Sequence, residues 1–450
     1  MARLFGTDGV RGEANLELTP ELAYRLGRAA TLYFGEKHPG EKPRILIGRD
    51  TRLSGTMLES ALSAGICSAG GEAVIAGIIP TPAIAYLTKK MGFVAGIVVS
   101  ASHNPFYDNG IKFFGGDGYK LPDSVEDEIE AVVHSIEMAD ELYRPSRSHV
   151  GSVTYRHDLT ALYIDFVLST CHTRLDGIRV VLDCANGAAY EVMPKILRSL
   201  GVDLVVINDD PQGTNINDEC GSTHLDMLKK AVVDNHADIG IAHDGDADRC
   251  LCVDEKGETI DGDHILVLCG KLMKKQSRLQ KDTIVTTVMA NIGFYQAVEN
   301  DGMRAEITKV GDRYVLENML KNGYNLGGEQ SGHIIFTDFS TTGDGPITAL
   351  QVLSALKLSG KTASELNACM VSYPQLLVNV TVKEKDGWDE NEKIKSIIAE
   401  CSKELGKTGR ILVRPSGTEP LIRVMAEGPD QGELETVCQK IADVVRAEIG

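Results

Sequence analysis

The segment VAGIVVSASHNPFYDNGIKFF contains a serine, Ser102, at a position where a reactive hydroxyl is expected. The apolar run from Val94 to Val99 predicts a buried strand, and His103, Asn104 and Pro105 follow Ser102 in a loop. In open α/β sheets, ligands bind where loops leave the carboxyl ends of strands. A serine hydroxyl is a weak nucleophile unless a base activates it or cations meet the developing charge. The same string also suits an ordinary turn or helix cap, so both interpretations stay open.

Three aspartates, Asp244, Asp246 and Asp248, alternate directly after an apolar run in ADIGIAHDGDADRCLCVDEKGE. Carboxylates this close repel one another unless a cation or solvent intervenes. Oxygen-only ligation favours magnesium, manganese or calcium over zinc. With Glu255 the spacing also imitates an EF-hand calcium loop, but Arg249 stands where that loop needs glycine and strands are predicted where helices should flank it. A solvated turn without metal is the other alternative.

A third segment, RPSGTEP, combines a guanidinium with two hydroxyls and a glycine between two predicted strands. Its candidate residues are Arg414, Ser416, Gly417 and Thr418. Backbone N–H groups, hydroxyls and an arginine can together bind a phosphate. An ordinary polar hairpin explains the composition equally well.

A fourth segment, GEQSGH, lies in a turn bracketed by glycines. Glu329 and Ser331 could hydrogen-bond vicinal sugar hydroxyls, and either Glu329 or the amide oxygen of Gln330 could accept a hydrogen bond from an amine. His333 is close in sequence, although a single histidine is more often structural than catalytic. The turn alone is therefore weak evidence for a sugar site.

The composition excludes several classes of protein. The chain has 450 residues, of which 43% are hydrophobic and 24% charged, so we expect an ordinary globular protein with several domains. The formal net charge of −18 argues against nucleic acid or an anionic membrane as the partner. We see no apolar run of membrane-spanning length and no secretory pattern, and we read the ten scattered cysteines as reduced thiols. These features predict a cytoplasmic protein.

Three repeated segments must position the candidate residues. RILIGRDTRLSGTMLESALSAGICSAGGEAVIAG, RVVLDCANGAAYEVMPKILRSLGVDLVVIN and DTIVTTVMANIGFYQAVENDGMRAEITKVG each alternate an apolar β-branched run with a helix-period segment. This alternation is typical of α/β sheets, and its wide spacing predicts three related domains. Unrelated α/β domains with similar patterns are the alternative.

The end of the chain has a different layout. The extended segments LLVNVTVKE, RILVRPSG and LIRVMAEG surround helices predicted near 390–405 and 431–448, which is typical of an α+β domain. The predicted domains are 1–150, 151–251, 252–367 and 368–450.

Together the four segments SASHNP, DGDADR, GEQSGH and RPSGTEP resemble the α-D-phosphohexomutase family in content and order, over essentially the whole chain. The opening LFGTDGVRG and the segment GEQSGH are similar to the branch that acts on aminosugars. The phosphoglucomutase and phosphomannomutase branches often carry methionine where this chain has Gln330, and histidine where it has Asp312. The second difference removes any role carried over from that histidine.

The resemblance implies three related α/β domains, with mixed sheets flanked by helices, and a smaller α+β domain around a central cleft. Each domain would supply one loop: serine, metal, sugar and phosphate respectively. It also implies that Ser102 is phosphorylated in the active protein and shares a magnesium ion with the three aspartates. The further catalytic residues implied or placed beside Ser102 are Arg11, His103, Lys112 and Arg249. Lys112 could transfer a proton, which would require a lowered pKa, or could only stabilise charge.

The implied reaction interconverts glucosamine 6-phosphate and glucosamine 1-phosphate through a bound glucosamine 1,6-bisphosphate, with glucose 1,6-bisphosphate as another primer. The expected partner is a small phosphosugar; an activating kinase and a second copy in a homodimer are further candidates. The alternatives are a phosphoglucomutase or phosphomannomutase, a serine-dependent metal phosphomonoesterase, and a sugar-phosphate binding protein without catalysis.

Overall fold

The computed structural model describes residues 3–6, 8–138, 144–385, 387–416 and 420–450. Residues up to 289 form a first compact unit together with residues 304–369. Residues 290–303 form a second unit together with residues 370–450. Among the described helices, we find none with the length and apolar content that a membrane span requires.

The first sheet positions the serine loop. Its region contains β1 (Val10–Glu13), α1 (Pro20–Lys37), β2 (Arg44–Arg49), α2 (Gly55–Ser68), β3 (Glu72–Ile78), α3 (Thr81–Met91), β4 (Ala95–Val99), β5 (Asp108–Gly115), α4 (Asp123–Met138) and β6 (Ser152–Tyr155). The strand order is β1-β5-β4-β2-β3-β6, with parallel pairing from β4 through β2 and β3 to β6 and antiparallel pairing at β5 and β1. The strand predicted at Val94–Val99 is confirmed as β4, inside the sheet.

All five residues of β4 are buried because helices cover both faces of the sheet. On one face Ile97 shares a core with Leu26 of α1 and Leu62 of α2. On the other face α3 lies so close that a Cβ on Gly48 would meet Ile84 at 2.6 Å. A strand buried on both faces holds its end firmly, and the end of β4 leads directly to the serine loop.

The second sheet positions the aspartate loop. Its region contains α5 (Leu159–Ser169), β7 (Arg179–Asp183), α6 (Ala189–Ser199), β8 (Asp203–Ile207), α7 (Asp226–Asp234), β9 (Ile239–His243), β10 (Cys250–Asp254) and β11 (Thr259–Ile260). The strand order is β11-β10-β9-β7-β8, and β9 pairs with β10 antiparallel with His243 opposite Cys250. The three aspartates therefore lie in a tight loop between two buried strands, and the flanking helices of an EF-hand are not found there.

The third sheet positions the GEQSGH turn. Its region contains α8 (Gly262–Lys275), β12 (Thr283–Thr287), β13 (Arg304–Thr308), α10 (Asp312–Asn322), β14 (Leu326–Gly328), β15 (Ile334–Phe336), α11 (Gly345–Ser359) and α12 (Ala363–Asn367), while α9 (Ile292–Asn300) belongs to the second unit. The strand order is β13-β12-β14-β15. GEQSGH connects β14 and β15, which pair antiparallel.

The three candidate loops of the first unit occupy equivalent places. The repeats begin with β2, β7 and β12, and these strands pair parallel with β4, β9 and β14 respectively. Each of the latter strands is followed in the chain by an antiparallel partner, namely β5, β10 and β15. The serine, aspartate and GEQSGH segments each lie in that connection. The prediction of three related α/β domains with mixed sheets is therefore confirmed.

The second unit has the predicted α+β layout. It contains β16 (Gln375–Thr381), α13 (Glu392–Leu405), β17 (Arg410–Pro415), β18 (Leu421–Glu427) and α14 (Gln431–Ile449), with an antiparallel sheet in the order β16-β18-β17. The side chains of Asn391 and Asp430 cap the first turns of α13 and α14. Val424 of the sheet shares a core with Ile394 of α13 and Ile441 of α14.

Candidate active site

Ser102 lies at the end of β4 with its side chain directed at the aspartate loop. The residue is 2% exposed and has a φ of +52°, in the left-handed region that side chains other than glycine rarely adopt. Its Oγ donates a hydrogen bond of 2.5 Å to Oδ2 of Asp244 and lies 3.5 Å from Nδ1 of His103. The structure thus brings together two segments that are 142 residues apart in the sequence.

The two loops also touch through their backbones. A Cβ on Gly245, between Asp244 and Asp246, would lie 2.6 Å from the carbonyl oxygen of Ser102. Only glycine therefore permits this approach of the aspartate loop to the serine loop.

The three aspartates converge as a group suited to a divalent cation. Asp244, Asp246 and Asp248 are all buried, and one oxygen of each lies within 4.8 Å of the others. Burial and then the neighbouring Asp248 and Asp246 raise the pKa of Asp244 to about 8. Oδ1 of Asp246 and Oδ1 of Asp248 are buried and accept no hydrogen bond from the described residues. Unpartnered anionic oxygens are costly inside a protein, so the donor set fits a hard cation such as magnesium.

Glu255, the fourth ligand that an EF-hand would require, is directed elsewhere. Its Oε2 accepts a hydrogen bond of 2.8 Å from the backbone N–H of Ser364. Together with the strands on both sides of the loop, this contact removes the EF-hand interpretation.

Two residues of the first sheet region hold Asp246. Its Oδ2 accepts hydrogen bonds from Oγ1 of Thr81, at 2.7 Å, and from Nζ of Lys112, at 2.9 Å. Both contacts use the same oxygen, so Oδ1 is left for a cation. Sequence reasoning did not identify Thr81, which begins α3 and lies 165 residues before Asp246.

Lys112 on β5 is buried among carboxylates. Its Nζ lies 3.1 Å from Oδ2 of Asp8 as well as 2.9 Å from Asp246. Burial alone would lower the pKa of Lys112, but Asp246 and Asp8 outweigh it and the pKa is raised. The lowered pKa that a proton-transfer role requires is not found, and a charged ammonium suits charge stabilisation.

The GEQSGH turn places His333 beside the aspartates. Nδ1 of His333 lies 3.5 Å from Asp248, and Nε2 lies 3.6 Å from Asp312 and 3.1 Å from the Gly343 N–H. Burial lowers the pKa of His333, but Asp248 and Asp312 outweigh it and raise that pKa to about 9. The two carboxylates therefore favour the charged imidazolium over the neutral ring that the Gly343 contact would suit.

The other residues of this turn are half-buried and so reachable by a ligand. Oε1 of Glu329 accepts a hydrogen bond of 3.1 Å from Gly311, and Nε2 of Gln330 donates one of 3.3 Å to Asp261. Because the amide nitrogen of Gln330 is used, its oxygen is left to accept a hydrogen bond. Ser331 is half-buried in the same turn.

Further charged residues extend the cluster, and of these the sequence analysis did not single out Asp8 and Lys120. Asp8 contacts Arg11, and its Oδ1 accepts a hydrogen bond of 2.6 Å from Lys120. Lys120 also donates to Asp312 at 2.7 Å. Arg249 lies 4.0 Å from Asp248 at the other side of the aspartate loop. Positive and negative side chains thus alternate around the loop, which matches a ligand with several negative charges.

Arg414 and Ser416 lie in the second unit, at the end of β17. Arg414 is opposite Arg423 of β18, and the backbone carbonyl of Ser416 accepts a hydrogen bond of 2.8 Å from Lys385. Burial and then the nearby Arg423 lower the pKa of Arg414. Adjacent cations of this kind suit an anion. Gly417 and Thr418 lie outside the described residues.

Four family models match the chain in order. They are described as phosphoglucomutase/phosphomannomutase alpha/beta/alpha domains I, II and III and the C-terminal domain, and they match residues 2–140, 161–257, 261–373 and 377–444 respectively.

Curated relatives match the chain over its whole length. The phosphoglucosamine mutase of Brevibacillus brevis is 50% identical over 450 residues and covers 100% of both chains. That of Desulforamulus reducens is 53% identical over 445 residues and covers 99% of both.

Solved structures share the fold at lower identity. A phosphoglucomutase/phosphomannomutase family protein of Burkholderia thailandensis gives a TM-score of 0.80 at 22% identity, covering 99% of this chain and 97% of that one. Aspergillus fumigatus N-acetylphosphoglucosamine mutase, in complex with GlcNAc-6P and magnesium, gives 0.70 at 20% identity, covering 99% and 95%. Its S69A variant in complex with glucose 1,6-bisphosphate gives 0.64, with the same identity and coverage. The chain therefore belongs to the phosphoglucomutase/phosphomannomutase family, the α-D-phosphohexomutases, on its phosphoglucosamine mutase branch.

Proposed function

We propose that this chain is a mutase that interconverts glucosamine 6-phosphate and glucosamine 1-phosphate by way of a phosphoryl group on Ser102. The observation that carries the proposal is the contact between Oγ of Ser102 and the buried triad of Asp244, Asp246 and Asp248. Relatives that are 50 to 54% identical over essentially the whole chain, all phosphoglucosamine mutases, support the choice of substrate.

The phosphoryl group moves in two exchanges. In the first, the bond between phosphorus and Oγ of Ser102 breaks, a bond to the free sugar hydroxyl forms, and the hydroxyl proton ends on Oγ. The product is a 1,6-bisphosphate, with glucose 1,6-bisphosphate as an alternative primer. The bisphosphate turns within the site and returns its other phosphate to Ser102 by the reverse exchange.

The residues around Ser102 meet the charge of that group. Magnesium held by Ser102, Asp244, Asp246 and Asp248 would supply positive charge beside the phosphoryl oxygens. Lys112 and Arg249 add fixed positive charge from the protein, and Arg11 adds an exposed guanidinium. Burial and then Arg249 and Arg11 lower the pKa of His103 to about 4, so near pH 7 its ring is neutral and adds no charge beside Oγ.

The GEQSGH turn is proposed to bind the sugar. Glu329 and Ser331 would hydrogen-bond hydroxyls, His333 would meet ring or phosphate oxygens as a cation, and the Gln330 amide oxygen would accept from the amine at carbon 2. The second unit would bind the phosphate that is not reacting, through Arg414, Ser416, Gly417 and Thr418.

Several expectations remain part of the proposal. They are the domain limits of 1–150, 151–251, 252–367 and 368–450, a cytoplasmic location, an activating kinase for Ser102 and a homodimer.

The decisive assay follows both isomerisation and hydrolysis. Purified protein is incubated with magnesium, glucosamine 6-phosphate and a trace of glucose 1,6-bisphosphate, and phosphorus NMR follows the products. We expect the 1-phosphate to accumulate without inorganic phosphate. Phosphate release that matches substrate loss would instead identify a phosphomonoesterase, and an unchanged spectrum would identify a binding protein.

A further inference from the structure

A buried ion pair lies behind the serine loop. Asp50 and Arg52 follow β2 in the segment GRDTR, and Nε of Arg52 lies 2.9 Å from Oδ2 of Asp50. Both side chains have no exposed surface. Removing two charges from water is unfavourable unless many hydrogen bonds satisfy them, so the partners of this pair indicate what it is for.

The guanidinium of Arg52 reaches four backbone carbonyls of the serine loop. Nη2 donates to Ser102 at 2.9 Å and to Asn104 at 2.8 Å. Nη1 donates to Asp108 at 3.2 Å and also contacts the carbonyl of Pro105. A planar guanidinium has five donors in a fixed fork, whereas the ammonium of lysine has three and could not make all of these contacts together with the one to Asp50.

The carboxylate of Asp50 reaches the other side of Ser102. Its Oδ2 accepts a hydrogen bond of 2.6 Å from Oγ of Ser100, and that hydroxyl accepts one of 2.9 Å from the backbone N–H of Ser102. The amide groups before and after the Ser102 side chain are therefore both tied to the same ion pair.

One residue of the second sheet region reinforces this arrangement. Nδ2 of Asn217 donates to the carbonyl of Ser102 at 2.9 Å and to that of Asn104 at 3.1 Å. The carbonyl of Ser102 thus has two donors, from Arg52 and Asn217. These two donors stabilise the backbone conformation of Ser102, whose φ of +52° is one that serine rarely adopts without such support.

We propose that Asp50 and Arg52 are positioning residues, which hold Ser102 so that Oγ stays against the aspartate triad. The inference rests on the proposed phosphoryl transfer at Ser102. None of the groups that Arg52 contacts belongs to the sugar-binding turn, so its loss should slow transfer and leave sugar binding intact. If Arg52 had only a structural role, its replacement would lower the fraction of folded protein. Phosphoryl transfer and sugar binding would then be lost together.

The test compares two buried arginines of the same region. Arg52→Lys keeps a charge for Asp50 but loses most of the carbonyl contacts. Arg28→Lys is the matched control, because Arg28 is 1% exposed and donates to Ser68 at the end of α2. Displacing a reacting group by about 1 Å costs roughly a hundredfold in rate. We therefore expect kcat of Arg52→Lys to fall about a hundredfold, with KM within about threefold of the wild-type value, and kcat of Arg28→Lys to stay near wild type.

The second measurement is the rate at which glucose 1,6-bisphosphate phosphorylates Ser102, followed by intact mass. It should fall with kcat in Arg52→Lys. If the wild type gains this phosphate but isomerises no sugar, the proposed function is wrong. The inference can still be decided in that case, because the phosphorylation rates of wild type and Arg52→Lys can be compared by mass. Wild-type rates in Arg52→Lys, or equal losses in both arginine variants, would overturn the inference.

Asn217→Gly is the second variant, which tests the positioning of Ser102 if Arg52→Lys does not fold. Asn217 has a φ of +58°, which glycine adopts without strain, so the variant removes only the amide that binds the two carbonyls. A lower kcat with unchanged KM supports the inference, and wild-type kinetics contradict it.

Discussion

Ser102 combines a left-handed backbone conformation with a hydroxyl that is hydrogen-bonded to a carboxylate. The carboxylate belongs to a cluster that needs positive charge, so the hydroxyl lies where a phosphoryl group and its counterions would meet. Conservative substitutions of single residues can therefore separate the role of the hydroxyl from that of the carboxylates.

Replacing Ser102 by alanine should remove the phosphoryl carrier while leaving the fold intact. We expect mutase activity to fall by at least about a thousandfold, because a nucleophile has no substitute in a covalent mechanism. Intact mass of the wild-type protein should show one phosphate, mapped to Ser102 and missing from the variant. Near wild-type turnover in Ser102→Ala would rule out the covalent route.

Replacing Asp246 by asparagine should weaken cation binding, since one anionic ligand is lost from an all-oxygen site. Calorimetric titration with magnesium should show affinity lower by roughly tenfold or more. Asp254→Asn is the control, because Asp254 is also buried and accepts hydrogen bonds from the backbone of Lys256 and Glu258. Equal magnesium affinity in the two variants would contradict the metal site.

At the scale of elements, each functional loop depends on the helix or strand that packs behind it. The first turn of α11 docks on the aspartate loop, where the N–H of Gly345 donates to Ala247 at 3.1 Å. Asp344 caps this helix, accepting hydrogen bonds from Ile347 at 2.8 Å and from Tyr163 at 3.0 Å. Burial raises the pKa of Asp344 to about 7, against these hydrogen bonds, which lower it.

This raised pKa makes stability depend on pH. Between about pH 4 and pH 7 the folded protein keeps a proton on Asp344 that the unfolded chain has lost, so stability falls as the pH rises through this range and then levels off. Asp344→Asn keeps the cap without the charge and should remove this contribution, which reaches up to about 4 kcal/mol above pH 7. Urea unfolding of both proteins from pH 5 to pH 8 measures it. Parallel curves for wild type and variant would show that Asp344 does not titrate in this range.

Arg414, near the end of β17, is a cation whose removal should affect substrate binding. Charge-assisted hydrogen bonds contribute about 1.5–3 kcal/mol, so Arg414→Ala should raise KM about ten- to more than a hundredfold for both phosphosugar isomers. Lys393→Ala removes an exposed cation from α13 of the same unit and should leave KM unchanged. Equal KM values for wild type and Arg414→Ala would exclude the end of β17 as the phosphate site.

At the scale of the whole molecule, a chain with a net charge of −18 gathers buried or half-buried cations around one acidic cluster. Lys112, Lys120 and Arg249 come from two sheet regions, and Asp312 of a third pairs with Lys120. An anionic phosphosugar therefore finds clustered positive charge at this site within an acidic chain, which favours specific binding over general attraction of anions.

The choice of sugar is also a property of the whole molecule, because several loops must contact one substrate together. Glucosamine, glucose and mannose phosphates differ at carbon 2, and an unsatisfied acceptor there costs about 1–3 kcal/mol. We expect kcat/KM for glucosamine phosphate to exceed that for glucose and mannose phosphates by roughly five- to 150-fold, measured side by side. A preference for a neutral sugar would change the substrate and leave the role of Ser102 intact.

The sequence alone determined the elements and the chemistry of the loops. Short apolar runs such as Val94–Val99 predicted strands, and the alternation of Asp244, Asp246 and Asp248 predicted a cation site, because both properties reside in neighbouring residues. The order of the four segments was enough to indicate the family.

Only the tertiary structure decided which distant residues complete the site. Thr81 is 165 residues from the Asp246 that it holds, and Arg52 is 50 residues from Ser102. Neither residue belongs to a pattern that suggests such a contact. The same holds for the electrostatics. The sequence left open whether Lys112 transfers a proton or only stabilises charge, and packing beside Asp8 and Asp246 raises the pKa of Lys112. Long-range packing sets which charges face one another, and local sequence patterns carry no information on that.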